Sequence, residues 1–151
     1  MNDASAGNYE DMERALRDYL KKPEVWWSEE AIGIMLRANG YCEYCRADVV
    51  GSPEAFWSSE HDHVLPKDRG GDDDYHRNLA LVCHKCNSIK GEDWPDDVKE
   101  TEMNDRSGRI AAVRPMVLER RRKQRLIEVY ARFREVLELR RAQPEEVSDE
   151  A

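Results

Sequence analysis

The sequence predicts an α+β fold in which a small β-β-α unit is clamped by four cysteines and flanked by helices. Two CxxC pairs indicate the clamp. Two strand-like segments, 55–63 and 79–82, lie between the pairs, and a short helix can begin after the second pair. Apolar residues at helical spacing on both sides of this region predict N-terminal and C-terminal α-helices.

The flanking helices have recognisable ends. Residues 9–22 place apolar side chains at helical spacing until Pro23 ends the pattern. Ser28 is a candidate N-cap for a second helix over residues 28–40. A long helix is predicted from Pro115, because proline suits the first helical turn.

Length, charge and hydrophobicity indicate the number of domains, the kind of partner and the location of the protein. A chain of 151 residues suits one domain, and its net charge of −8 is unusual for a nucleic-acid binder. Residues 109–141, however, carry 11 basic and 4 acidic residues, so a strongly basic segment lies within an acidic chain. The sequence has no long apolar run and no secretory signal, which predicts a cytoplasmic protein that does not contact a membrane.

The four cysteines are all accounted for by the two pairs. Cys42 and Cys45 form the first pair, and Cys83 and Cys86 form the second. Two CxxC pairs are typical of a tetrahedral structural Zn²⁺ site with four thiolate ligands. Disulfides are the less favoured interpretation without a secretory signal, and a redox CxxC does not need a second copy.

Polar residues that can carry chemistry lie between and beside these pairs. A strand, a turn, a second strand and a helix would bring Asp62, His63 and Asn87 towards one crevice, with Asn78 at the start of the second strand. Carboxylate and amide oxygens suit Mg²⁺ or Mn²⁺, and a neutral histidine can take a proton from water. This combination favours phosphodiester hydrolysis.

The stretch "YCEYC … EHDHVLPKDRGGDDDYHRNLALVCHKCNSIKGE" resembles the HNH endonucleases, or ββα-metal (His-Me finger) nucleases, in their zinc-knuckle form. The resemblance covers residues 41–92. It includes both CxxC pairs, Asp-His with a proline three residues later, Gly-Gly, Asn-Leu and Cys-Asn-x-x-Lys-Gly.

The resemblance implies a role for each of the polar residues. His63 would be the general base that activates water, and Asn78 would brace the loop that orients it. Asp62 and Asn87 would hold the catalytic Mg²⁺ or Mn²⁺, and the products would carry a 5′-phosphate and a 3′-hydroxyl. Strict strand alternation would put Asp62 and His63 on opposite faces, so the resemblance also implies a twist or bulge there.

The pattern along the chain predicts four parts. We expect an N-terminal helical extension at 1–30, an HNH nuclease core with zinc knuckles at 31–95, and a linker with a long basic helix at 96–141. Residues 142–151 form an acidic tail that we expect to be disordered.

DNA is the expected substrate, with RNA as an alternative. Lys90 is the first candidate for a phosphate contact, and the basic residues Arg120, Arg121 and Lys123 are further ones, although a solvated helix explains the last three equally well. A zinc-ribbon binding module without catalysis is the main alternative function. A nuclease subunit that needs a partner is another, since the flanking helices could form a homodimer or bind a protein.

Overall fold

The computed structural model describes residues 4–100 and 105–142, so most of the predicted acidic tail lies outside the described residues. Its elements in chain order are α1 (Ala4–Leu20), α2 (Glu29–Arg37), α3 (Pro53–Trp57), β1 (Ser59–His63), a 3-10 turn (Lys67–Arg69), β2 (Leu79–Cys83), α4 (His84–Lys90), α5 (Arg106–Lys123) and α6 (Leu126–Ala142).

The centre of the fold is a two-stranded antiparallel sheet. The register pairs Ser59 with Cys83 and His63 with Leu79, and the pairs between them follow without a bulge. Helix α4 contacts both strands and α5. The core beneath these elements contains Ile34, Tyr44, Val49, Val64, Leu65, Ala80, Leu81, Val82, Ile89, Trp94, Val113 and Val117. This arrangement confirms the predicted α+β fold with a β-β-α unit.

Side-chain N-caps mark the starts of the two helices α2 and α3, which precede the sheet. The predicted N-cap is confirmed, because the Ser28 side chain accepts a hydrogen bond from the Ala31 amide at 3.1 Å. The predicted strand over 55–63 is too long, since its first part belongs to α3 and only Ser59–His63 is extended. Ser52 caps α3 and Pro53 occupies its first turn, two signals that favour a helix over a strand.

The C-terminal helix also differs from the prediction. Helix α5 begins at Arg106, with Asp105 as N-cap, so Pro115 lies inside the helix rather than at its start. The buried side chains of Val113 and Val117 hold this region against the core, and that packing outweighs the helix-breaking tendency of proline. Arg125 then adopts a left-handed conformation with φ 49°, which separates α5 from α6.

Among the described residues, none of the helices combines the length and the apolarity needed to span a membrane.

Candidate active site

The two cysteine pairs meet at one point between the first knuckle and the start of α4. The four sulfur atoms lie within 4.8 Å of one another, and those of Cys45 and Cys83 are 3.8 Å apart. Zn–S bonds of about 2.3 Å in a tetrahedron place sulfurs about 3.8 Å apart. The cluster is therefore compatible with a four-thiolate zinc site.

The four thiols also interact with one another, and these hydrogen bonds lower the pKa of Cys42 and Cys83 and raise the pKa of Cys45 and Cys86. Hydrogen bonding with Cys45 lowers the pKa of Cys42 to about 6. From α5, the Arg121 guanidinium points its Nη1 at the sulfurs of Cys86 and Cys83, at 3.4 and 3.7 Å. Arg121 thus compensates thiolate charge, which differs from the predicted contact with a nucleic acid.

Asp62 lies beneath the sheet rather than on its surface. Only 6% of this residue is exposed. Its Oδ2 accepts a hydrogen bond from the Tyr44 hydroxyl at 2.5 Å and is 3.1 Å from Lys90 Nζ. Burial raises the pKa of Asp62, while Lys90 and Tyr44 act in the opposite direction. Lys90 also donates to Oδ1 at 3.2 Å, so both oxygens of the carboxylate are hydrogen-bonded.

Lys90, which the sequence suggested as a phosphate contact, is buried in the structure. Its residue exposure is 1%, and Nζ donates to Asp62 and to the carbonyl oxygens of His63 and Gly91 at 3.0 and 3.2 Å. A buried ammonium with these partners is a structural cation and not a surface contact for phosphate. The sequence misled because lysine is rarely fully buried unless it is paired.

His63 stands at the end of β1, on the solvent side of the site. Its side chain is 31% exposed, and its Nε2 is 2.6 Å from the Asp73 carboxylate. The same oxygen of Asp73 lies 2.8 Å from Lys67 Nζ. The fold of the loop before β2 therefore brings Asp73 to His63.

Asn78 braces the loop between the strands. It is fully buried; its Oδ1 accepts from the Leu65 amide at 2.8 Å, and its Nδ2 donates to the carbonyl oxygens of Leu65 and Asp72, both at 2.9 Å. Gly71 permits this close approach, because a Cβ there would lie 1.8 Å from the Leu65 carbonyl oxygen. Arg109 of α5 also donates to Asn78 Oδ1, at 3.1 Å.

Asn87 faces the site from α4. Its Nδ2 donates to the Glu60 carboxylate, which also bonds His84 Nδ1 at 2.7 Å. Because the amide nitrogen is engaged by Glu60, Oδ1 is the atom that Asn87 can offer to a metal ion. The hydrogen bonds with His84 and Asn87 lower the pKa of Glu60 and keep it a carboxylate.

These side chains surround one cavity of about 490 Å³. Its lining includes Asp62, His63, Asn87 and Lys90, together with His61 and Lys67. The alternation of β1 does not separate Asp62 from His63, because the cavity opens at the strand end where both residues reach it. The resemblance implied a twist or a bulge here, and the unbroken register to His63 shows that there is no bulge. The hard oxygen donors of Asp62 and Asn87 fit Mg²⁺ or Mn²⁺.

The remaining basic residues lie away from this cavity lining. Arg120 Nη1 donates to the Ile89 carbonyl oxygen and to Asp93, at 3.1 and 2.7 Å, and so attaches α5 to the end of α4. Lys123 is exposed and lies 3.7 Å from Glu119 on its own helix. Arg120, Arg121 and Lys123 were predicted to bind nucleic acid, and of these Lys123 is the exposed one, while Arg120 and Arg121 are half-buried.

Residues 42–93 match the family described as HNH endonuclease. These residues form an HNH endonuclease domain. Over 55 residues, 36% of this chain, the sequence is 44% identical to the "CRISPR-associated endonuclease Cas9" of Corynebacterium diphtheriae. The chain covers 5% of that protein's length. No solved structure matches the chain significantly. The HNH match supports nuclease activity in general.

Sequence reasoning missed two acidic residues that touch the site. Glu60 contacts Asn87, and Asp73 contacts His63. The signal for Glu60 was present, because residues i and i+2 of a strand share a face and Asp62 was already a candidate. Asp73 carried no such signal, since its approach depends on the path of the loop that Asn78 and Gly71 fix.

Proposed function

We propose that the HNH domain makes this protein a metal-dependent endonuclease that hydrolyses DNA phosphodiester bonds. The observation that carries the proposal is the shared cavity of Asp62, His63 and Asn87 within the matched segment. In this proposal Asp62 and Asn87 hold Mg²⁺ or Mn²⁺. The metal would supply positive charge to the phosphate and to the departing oxygen.

The chain's own residues account for the proton and for the geometry. His63 accepts a proton from water, the water oxygen forms a bond to phosphorus, and the bond from phosphorus to the 3′-oxygen breaks. The departing 3′-oxygen takes a proton from solvent. The products are a 5′-phosphate and a 3′-hydroxyl. Asn78 acts indirectly, since it holds the Leu65 backbone just beyond the strand end that carries His63.

Zinc is proposed as a structural ion. The sulfur spacing supports it, and so does the position of the cluster, which joins the loop between α2 and α3 to the end of β2 and the first turn of α4. Holding α4 against the sheet keeps Asn87 opposite Asp62. Domain limits of 31–95 for the nuclease core, with helical extensions on either side, follow as part of the same proposal.

A labelled DNA duplex tests the reaction. We expect cleavage only with added Mg²⁺ or Mn²⁺, and products that a ligase can rejoin because they carry 5′-phosphate and 3′-hydroxyl ends. His63→Ala should abolish cleavage. His61→Ala is the matched control, because this histidine lines the same cavity from the same strand and is not assigned the proton. Equal loss in both variants would contradict the role of His63.

A second copy of the chain is the partner that the described surface favours. Helix α6 has no buried residue, and it exposes Ile127, Tyr130, Phe133, Val136 and Leu139. Glu128 lies in its first turn and Arg140 and Arg141 in its last, so an antiparallel pair of α6 helices brings opposite charges together. A dimer would also supply the two sites that a double-strand cut requires.

The mass in solution tests this association. We expect a dimer of about 35 kDa for the intact chain of 17.6 kDa, and a monomer for Phe133→Glu. Arg132→Glu is the control, because it changes charge beside the exposed apolar face without removing an apolar group. A monomeric wild-type chain at micromolar concentration would contradict the dimer, and co-purification with another protein would favour a nuclease subunit.

A further inference from the structure

Asp73 is the acidic residue that approaches the proposed base. It lies in the loop between the 3-10 turn and β2, and its Oδ1 is 2.6 Å from His63 Nε2. The contact joins residues ten positions apart, so it depends on the fold of the loop and not on local sequence.

We propose that Asp73 is a positioning residue for His63, which it holds in the tautomer with the proton on Nε2. A carboxylate only accepts hydrogen bonds, so the 2.6 Å contact places the imidazole proton on Nε2. The lone pair then resides on Nδ1, the nitrogen that takes the proton from water. This inference rests on the proposed function, because it assigns the orientation of the base in that reaction.

The loop presents Asp73 in a fixed place. On one side, the carbonyl oxygen of Asp72 accepts from Asn78 Nδ2 at 2.9 Å. On the other, the carbonyl oxygen of Asp74 accepts from the Asn78 amide at 2.8 Å. Asn78 therefore anchors both neighbours of Asp73 and also Leu65, two residues beyond His63. The asparagine orients the histidine partly through Asp73.

Lys67 keeps Asp73 charged. Its Nζ lies 2.8 Å from the oxygen that contacts His63, and this hydrogen bond lowers the pKa of Asp73. The pairing of a carboxylate with the far nitrogen of a histidine base follows the same logic as the orienting group of a catalytic triad. Here the carboxylate is 73% exposed, which predicts a smaller effect than a buried one would have.

Imidazole ¹⁵N shifts measure the tautomer directly. We would record long-range ¹H–¹⁵N spectra of the zinc-loaded protein without Mg²⁺, under conditions where His63 is neutral. The wild type should show one protonated and one unprotonated nitrogen, with the proton on Nε2. In Asp73→Ala the two shifts should move towards each other as the tautomers interconvert. Asp73→Asn should retain the wild-type pattern, because its amide oxygen still accepts from Nε2.

Asp68→Ala is the matched control for charge. Asp68 lines the same cavity, and its substitution by alanine removes the same charge as Asp73→Ala. The ring nitrogen of His63, however, contacts Asp73 and not Asp68. The His63 shifts should be unchanged in this variant. Because Asp73 is exposed, its substitution should leave the folded state intact, and an unchanged thermal midpoint verifies that.

Cleavage kinetics give the second readout. General base catalysis contributes roughly 10²–10⁴-fold, which bounds the effect of misorienting the base. We expect Asp73→Ala to lower kcat about 10- to 100-fold with little change in KM, and Asp73→Asn to restore part of it. An Asp73→Ala spectrum identical to the wild type would overturn the inference, and so would an unchanged kcat. If the wild type cleaves no DNA, the proposed function fails while the tautomer spectra still decide the role of Asp73.

Discussion

Replacing Lys90 with methionine tests the buried ion pair beneath the site. Methionine keeps most of the side-chain volume but removes the ammonium. In the wild type, Lys90 and Asp62 are 1% and 6% exposed and their charged atoms are 3.1 Å apart. The variant therefore leaves the Asp62 carboxylate buried with the Tyr44 hydroxyl as its remaining side-chain partner.

The expected loss of stability follows from leaving the buried Asp62 carboxylate without its cation. Removing one member of a buried pair costs about 3–5 kcal/mol, a large part of the roughly 5–15 kcal/mol that stabilises an ordinary domain. Lys90→Met should therefore unfold at a much lower urea concentration, or fail to fold. The double variant Lys90→Met/Asp62→Asn should lose less than the sum of the two single changes, because it leaves no isolated buried charge.

Urea unfolding of the zinc-loaded protein, followed by circular dichroism, is the assay. Lys85→Met is the matched control, since Lys85 is exposed on the same helix and its loss should change stability by under about 0.5 kcal/mol. A Lys90→Met variant as stable as Lys85→Met would show that Lys90 does not neutralise a buried Asp62 carboxylate. Lys90 would then be a surface residue, as the sequence first suggested.

Three further predictions concern the zinc cluster, the loop and the N-terminal helices. Arg121→Ala should weaken zinc binding about tenfold or more in a chelator competition, because it removes the cation beside the thiolates. Gly71→Ala should lower the unfolding midpoint strongly, since its Cβ would collide with the Leu65 carbonyl oxygen 1.8 Å away. The hydrogen bond from Lys21 lowers the pKa of Glu29 in the folded protein below its ordinary value. The ion pair therefore stabilises the fold at pH values above the pKa of Glu29 in the unfolded chain. This stabilisation is lost as the pH falls through the lower pKa of Glu29 in the folded protein. Glu29→Gln should therefore reduce the thermal midpoint slightly at neutral pH and leave it unchanged in strong acid.

Each of these has a control and a contradicting result. Arg122→Ala is the control for Arg121→Ala, because Arg122 is the next residue and is hydrogen-bonded to Glu119 instead of the cysteines. Equal zinc affinity in the two variants would contradict a contribution of Arg121 to zinc binding. Gly51→Ala meets only the movable Asp48 side chain at 3.1 Å, and equal stability of the two alanine variants would contradict the close approach at Gly71. A Glu29→Gln effect independent of pH would contradict the ion pair.

The fold was predictable where a short segment contains its own signal. The spacing of the two CxxC pairs is visible in the sequence itself. The N-cap at Ser28 depends on a hydrogen bond from the amide of Ala31, only three residues later. Helix α3 was missed although Ser52 and Pro53 provide the same kind of signal, because an apolar run at 55–57 was assigned to the following strand.

Features that depend on distant packing were not predictable. Pro115 marks a helix start in isolation, but burial of Val113 and Val117 extends the helix through it. Lys90 resembles a surface lysine until the fold places Asp62 beside it. The Asp73 contact requires a loop whose path is set by Asn78. Local pattern identified the residues of the site, and tertiary contacts determined which partners they have.

Nicking of supercoiled plasmid DNA by the zinc-loaded protein tests the central claim most directly. We would compare wild type and His63→Ala with Mg²⁺, with Mn²⁺ and with neither, omitting metal rather than chelating it so that zinc stays bound. We expect open-circular DNA from the wild type only when metal is added, and none from His63→Ala. Equal cleavage by both proteins, or none by a folded wild type, would contradict it.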